Sequence, residues 1–132
     1  MNKLILGSIV LTFVAIGGIV LLLRSNEIEV PLTSDGSTNV SLVDGKQIIQ
    51  INAKGGYAPR VTTAKANMPT VINVQTNRTY DCSSSLSVAA VGFRKILPAT
   101  GVTPIEIPSQ QPGTIVKGVC AMGMYHFAVN FR

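Results

Sequence analysis

The chain has 132 residues, which is room for one domain and a targeting or anchoring segment but not for two domains. Its hydrophobic fraction is 46%, yet the apolar residues are spread unevenly, with one run of twenty uncharged residues at positions 4–23. From residue 46 to the end there are nine Lys or Arg against two acids, Asp81 and Glu106. Such a balance invites nucleic acid as a first thought, but the basic residues are scattered and aromatics are few, so no nucleic-acid partner is expected. A basic domain beside a bilayer can instead meet anionic lipid or an acidic partner surface, or simply be well solvated.

Residues 1–24 read as a transmembrane signal anchor. Twenty residues at about 1.5 Å each span about 30 Å, the thickness of a bilayer core. A cleaved signal has a shorter apolar stretch and a small-x-small site. Here the run closes on Leu21, Leu22, Leu23, Arg24 and Ser25, which is a poor cleavage site, and no lipid-accepting Cys follows. Lys3 and Arg24 flank the run on opposite sides and say little about orientation. A very short N-terminal tail with a long C-terminal domain favours a single-pass protein of the cell membrane, its domain on the extracytoplasmic side.

Residues 25–45 read as a flexible linker, polar and carrying Pro31, Gly36 and several Ser and Thr, with a short strand near positions 40–43. Residues 46–132 read as the folded domain. Strands are expected at 47–53, 60–65, 70–76, 86–91, 104–108, 114–120 and 125–131, from their β-branched residues and partial alternation. Breaks fall at Lys54-Gly55-Gly56, Asn67-Met68-Pro69, residues 98–101 and Gln111-Pro112-Gly113. No stretch after residue 24 has a 3.6-residue apolar period. Many short strands at near-regular spacing define an all-β sandwich or barrel.

The chemistry concentrates near the C-terminus. Cys120, Met122 and Met124 stand at i, i+2 and i+4, and two of the four methionines of the chain lie in this stretch. In extended backbone the three sulfurs share one side. If the chain bends, Ala121 and Gly123 are small enough to let them converge. A thiolate with two thioethers is a soft donor set that suits Cu(I), whereas zinc prefers Cys, His or carboxylate. The bland alternative makes both methionines core gap-fillers. Cys82, in a loop that opens a strand, can complete a Cys2Met2 set or form a disulfide with Cys120, two states that exclude each other. His126 continues the even parity of Met122 and Met124 and is a candidate additional ligand. Asp81 is a turn residue that also raises the pKa of its neighbour Cys82. No phosphate loop, nucleophile elbow or metal-hydrolase pattern is present, and a Cys120–His126 dyad would lack an orienting third group. An enzyme is not expected.

Taken together, Gly56-Tyr57-Ala58-Pro59, Asn67-Met68-Pro69, Asp81-Cys82 with Leu97-Pro98, Gln111-Pro112-Gly113 and Cys120-Ala121-Met122-Gly123-Met124 resemble the cupredoxin-like (plastocyanin-like) domains of bacterial copper resistance. Such domains occur fused to copper-exporting ATPases and as small membrane-anchored Cu(I) chaperones. The resemblance covers about residues 47–131. It implies a Greek-key β-sandwich, here preceded by one N-terminal transmembrane helix, and a Cu(I) site with Cys82, Cys120, Met122 and Met124 as ligands. It implies a chaperone or buffer in copper homeostasis, with a copper transporter or another copper protein as partner. The chain departs from the family at Met68, where Gly is usual, and after Met124, where Tyr125, His126 and Phe127 replace the usual Gly. Blue-copper members need two His, and this chain has one, which argues against electron transfer.

Overall fold

A computed structural model describes residues 39–132. The expected anchor at residues 1–24 and most of the expected linker lie outside the described residues. Among the described residues no helix is long and apolar enough to cross a membrane.

Ten strands form two five-stranded sheets. Sheet one holds β1 (Val40–Val43), β2 (Lys46–Ala53), β3 (Tyr57–Ala58), β5 (Thr70–Thr76) and β8 (Gly101–Ile107), in the order β1-β2-β5-β8 with β3 paired to β2. Sheet two holds β4 (Val61–Ala64), β6 (Ser85–Val88), β7 (Phe93–Ile96), β9 (Ile115–Cys120) and β10 (His126–Phe131), in the order β4-β10-β9-β6-β7. The β2–β5 and β4–β10 pairs are parallel and the rest antiparallel. Residues 39–132 thus form an all-β sandwich, one of the two architectures expected from the strand pattern.

Alternation decides which side chains fill the sandwich. Ile49, Ile51 and Ala53 of β2, and Ile72 and Val74 of β5, point inward from sheet one. Leu86 and Val88 of β6, Val116 and Cys120 of β9, and Phe127, Val129 and Phe131 of β10 meet them from sheet two. The buried Gln47 is the polar exception. Its amide donates to Lys65 O and Thr70 Oγ and accepts from Lys65 N, so it joins β2 and β5 to the end of β4 with its hydrogen-bonding capacity used.

The elements meet the sequence expectation unevenly, and β3 was not expected. The short strand expected near positions 40–43 is present as β1, which pairs with β2 through a turn at Asp44 and Gly45, both at positive φ (49° and 76°). The strand expected at 86–91 stops at Val88, and a single 3-10 turn over Ala89–Val91 closes on Gly92 at φ 64°. That reversal makes β7, which carries Arg94 and Lys95 and was not expected. An edge strand buried on neither face has no alternation to read. β8 begins at Gly101, before Pro104. Proline is tolerated there because β8 is the edge of sheet one.

Gly118 in β9 lies directly opposite Phe127 of β10, and a side chain at 118 would overlap the Phe127 ring. Because Phe127 is fully buried, the ring has nowhere to go. Gly118→Ala is therefore expected to destabilise the domain by about 1–3 kcal/mol through overpacking. Urea unfolding of the two proteins checks this, and an unchanged midpoint would mean that Phe127 relaxes freely.

Candidate metal centre

Cys120 is the last residue of β9 and is buried, opposite Leu86 of β6. The chain then turns back on itself through residues 121–125. Gly123 N–H donates to Cys120 O at 2.9 Å, Cys120 N–H donates to Tyr125 O at 3.0 Å, and Gly123 takes φ +72°. This turn wraps the Cys120 sulfur. Tyr125 N–H points to Sγ at 3.4 Å, and the N–H groups of Met122 and Met124 are also directed at it.

Cys82 opens a 3-10 turn, Cys82–Ser84, immediately before β6. Asp81 caps that turn: one carboxylate oxygen accepts from Ser83 N–H at 2.8 Å and from Ser83 Oγ–H. The other oxygen accepts from Gly55 N–H at 2.9 Å, in the β2–β3 turn. Tyr57, buried and edge-on to Phe127 at 5.3 Å, donates its hydroxyl to Ser83 O at 3.1 Å. The other glycine of the same turn, Gly56, packs 3.4 Å from the Tyr125 ring, measured from where a Cβ would sit. The β2–β3 turn thus touches both segments that carry a cysteine.

The result is two cysteines held side by side as free thiols. They lie close enough for each to shift the titration of the other. Burial alone would raise the Cys120 thiol. The hydrogen bond from Cys82 and those from the Tyr125, Met122 and Met124 amides outweigh it, and the group sits below its ordinary value. Cys82 moves the other way, raised first by serving as the donor to Cys120, then by burial and by the negative charges of Cys120 and Asp81. The two thiols are therefore unequal, with Cys120 the more readily ionised of the pair. Tyr57 is raised by burial first and then by Cys120, Cys82 and Asp81, so its hydroxyl stays a donor.

Met122 and Met124 sit in the turn beyond Cys120 with side chains 76% and 61% exposed, so they are not core gap-fillers. Because the backbone bends at 121–125, the shared parity of Met122, Met124 and His126 does not hold. His126 opens β10 opposite Val119, and paired residues share a face, so His126 is directed away from the face that buries Cys120. The structure thus brings Cys82 and Cys120 together, leaves the two methionines exposed beside them, and turns the histidine elsewhere. Among the described residues no three His, Cys, Asp or Glu side chains cluster to hold an ion. A closed donor set at the two cysteines must draw on other atoms.

Tyr57 and Asp81 were not read as parts of one support. The signal was present in Gly56-Tyr57-Ala58-Pro59, where a double glycine before an aromatic marks a tight turn, but nothing in the sequence shows that the turn reaches residues 81–83.

No protein-family profile matches the chain, and no curated protein matches it. Solved structures do. One is the metal-binding domain of the Cu(I)-exporting P-type ATPase of Streptococcus pneumoniae, determined with Cu(I). It is 21% identical with a TM-score of 0.61, over 70% of this chain and 92% of that one. Another is a copper-binding protein determined in solution in its apo form, 22% identical with a TM-score of 0.63, over 70% of this chain and 94% of that one. At this identity the likeness shows a shared fold.

The depressed Asp81 pKa, caused first by the Ser83 hydroxyl and then by the Gly55 and Ser83 amides, has a consequence for stability. A carboxylate lowered in the folded state stabilises above its unfolded value of about 3.9, and that contribution is lost as pH falls through the lower folded value. Asp81→Asn should therefore have a lower urea midpoint than wild type at neutral pH, with the gap closing below about pH 3. A gap independent of pH would mean that the charge of Asp81 plays no part.

Proposed function

We propose that this chain is a membrane-anchored, extracytoplasmic Cu(I)-binding protein that acts as a copper chaperone or buffer, with Cys82, Cys120, Met122 and Met124 as its donors. The observation that carries the reading is the convergence of the Cys82 and Cys120 sulfurs beside a turn that exposes two thioethers. Two thiolates supply charge and affinity, and the thioethers complete or extend a soft site. The shared fold with a metal-binding domain determined with Cu(I) supports the same cargo. It also supports a copper transporter or another copper protein as the partner. A blue-copper centre would need a second His, and His126 is directed away from Cys120. The reading is one of binding and exchange, not catalysis.

The adjacency of the sulfurs equally permits a Cys82–Cys120 disulfide, so the test is done without air. Anaerobic Cu(I) titration of the full chain in mild detergent should show tight binding with two reactive thiols in the apo form. Cys120→Ser should abolish tight binding, and Met122→Ala should weaken it by about tenfold, because a neutral thioether is the poorer donor. X-ray absorption of the loaded protein should count sulfur neighbours only. Equal Cu(I) affinity in wild type and the double variant Cys82→Ser/Cys120→Ser would overturn the site, and displacement of Cu(I) by Zn²⁺ would overturn the choice of metal.

Placement rests on the uncharged run at residues 4–23 and the poor cleavage site after it. Protease added to intact cells should remove the chain beyond about residue 25, and the protein should fractionate with membranes. A free, N-terminally trimmed protein in the medium would sink the anchor.

A further inference from the structure

Large apolar side chains are exposed at several places, but the four most exposed among the described residues are Ile96 (82%), Tyr80 (81%), Met122 (76%) and Met124 (61%). Tyr80, Met122 and Met124 belong to the segments that carry the cysteines, and Ile96 ends β7, the strand paired with β6. Tyr80 stands two residues before Cys82. Ile96 is opposite Ser85 in the β6–β7 pair, and Ser85 O accepts Ala121 N–H at 3.0 Å, so Ile96, Ser85 and Ala121 lie abreast across three neighbouring strands. By contrast, Leu42 and Val43 flank the β1–β2 turn, and Ile115 is at the far end of β9 from Cys120. Single exposed apolar residues need no explanation, but a cluster with polar surroundings marks an interaction surface.

Exposed cations lie near this face. Lys54 adjoins Gly55, whose N–H holds Asp81, and Arg78 lies two residues before Tyr80; both cations are exposed. The acid of the region, Asp81, already accepts from Gly55 and Ser83. The face therefore offers an apolar centre of Tyr, Ile and Met with free cations beside it, a composition typical of protein interfaces.

We infer that Tyr80 and Ile96, together with Met122 and Met124, form a docking face for an acidic protein that gives or receives copper at this site. The inference rests on the copper reading above and adds the surface through which transfer occurs. The occupant is a protein that carries carboxylates around its own exposed sulfur donors. Charge complementarity selects it. A contact limited to one end of a small sandwich falls below about 1,200 Å², the range of transient complexes, which suits a partner that must leave after exchange. A lipid surface could satisfy the same chemistry, but it would seal the donors away from any second copper site.

The experiment uses the full chain in mild detergent, loaded with Cu(I), and the apo metal-binding domain of a Cu(I)-exporting ATPase as acceptor. Chelator competition first measures affinity, which should be unchanged in Tyr80→Ser/Ile96→Ser because neither residue is a donor. The rate of transfer to the acceptor should fall about tenfold or more in that variant. Lys54→Glu/Arg78→Glu should slow transfer by a similar factor at low salt and remove most of its salt dependence. Equal rates for wild type and both variants, at intact affinity, overturn the docking face and leave copper binding standing. Failure of wild type to bind Cu(I) overturns the reading beneath it instead. In nanodiscs containing anionic phosphatidylglycerol, a face that lies on lipid would make the serine variant faster than wild type, and that outcome overturns the assignment to a protein partner.

Discussion

The approach of Cys82 to Cys120 is the constraint on which the site depends. It requires two segments far apart in the chain to meet, and the sheet arranges this. The turn that holds Cys82 runs straight into β6, and Leu86 of β6 stands directly opposite Cys120 in β9. A slip of one residue in that pairing would move Cys120 to the outer face, because side chains alternate. The register is held by burial. Leu86, Val88, Val116 and Cys120 all lie in the same core, so a slip would expose all of them together. The position of a chemically reactive atom is thus a by-product of apolar packing.

Packing alone would leave the Cys82 turn free to move, since only Ser83 of that turn is buried. Polar contacts from the opposite sheet supply the rest. Asp81 is held by the Gly55 amide, and the Ser83 carbonyl is held by the Tyr57 hydroxyl. Tyr57 is itself fixed by its edge-on contact with Phe127, the ring that requires glycine at position 118. One chain of contacts therefore runs from Gly118 in β9 through Phe127 and Tyr57 to the Cys82 turn. Thr79 adds a second tie, donating to Ala53 O at 2.6 Å at the end of β2. These are short, direct contacts on strand ends, the kind of support that holds a site before its ligand arrives.

Most of the fold was legible because its signal is burial on one face. Strands β2, β5, β9 and β10 alternate cleanly and were read within a residue or two of their bounds. What escaped lacks that signal: β3 is two residues long, and β7 is an exposed edge with adjacent cations. The two cysteines could be singled out by residue type, and the structure places them side by side. The parity argument for His126 failed for a definite reason. It assumed extended backbone through residues 121–125, and the chain turns there, with Gly123 at positive φ. Residue type singled out two cysteines that the fold brings together, while residue spacing misled where Gly123 allowed a reversal. The roles of Tyr57 and Asp81 were invisible because they depend on which turn faces which, and that is a property of topology.

The asymmetry of the donors gives the site a direction. Cys120 is buried and its sulfur accepts from the Tyr125 amide, which makes it the more enclosed of the donors. The methionines lie at the other extreme: neutral, exposed and carried on a turn whose glycine leaves it open. If Cu(I) is held by this set, an incoming sulfur meets the thioethers first. Replacing a neutral donor leaves the charge at the metal unchanged, whereas displacing a thiolate separates charge and must come later. Exchange would then proceed from the solvent side inward, with Met122 or Met124 leaving first, Cys82 next and Cys120 last. Cys82 precedes Cys120 in that order because its higher pKa lets it take up a proton more readily as it lets go. If Cu(I) is held so, the buried Cys120 would keep the last bond until an acceptor had supplied its own donors.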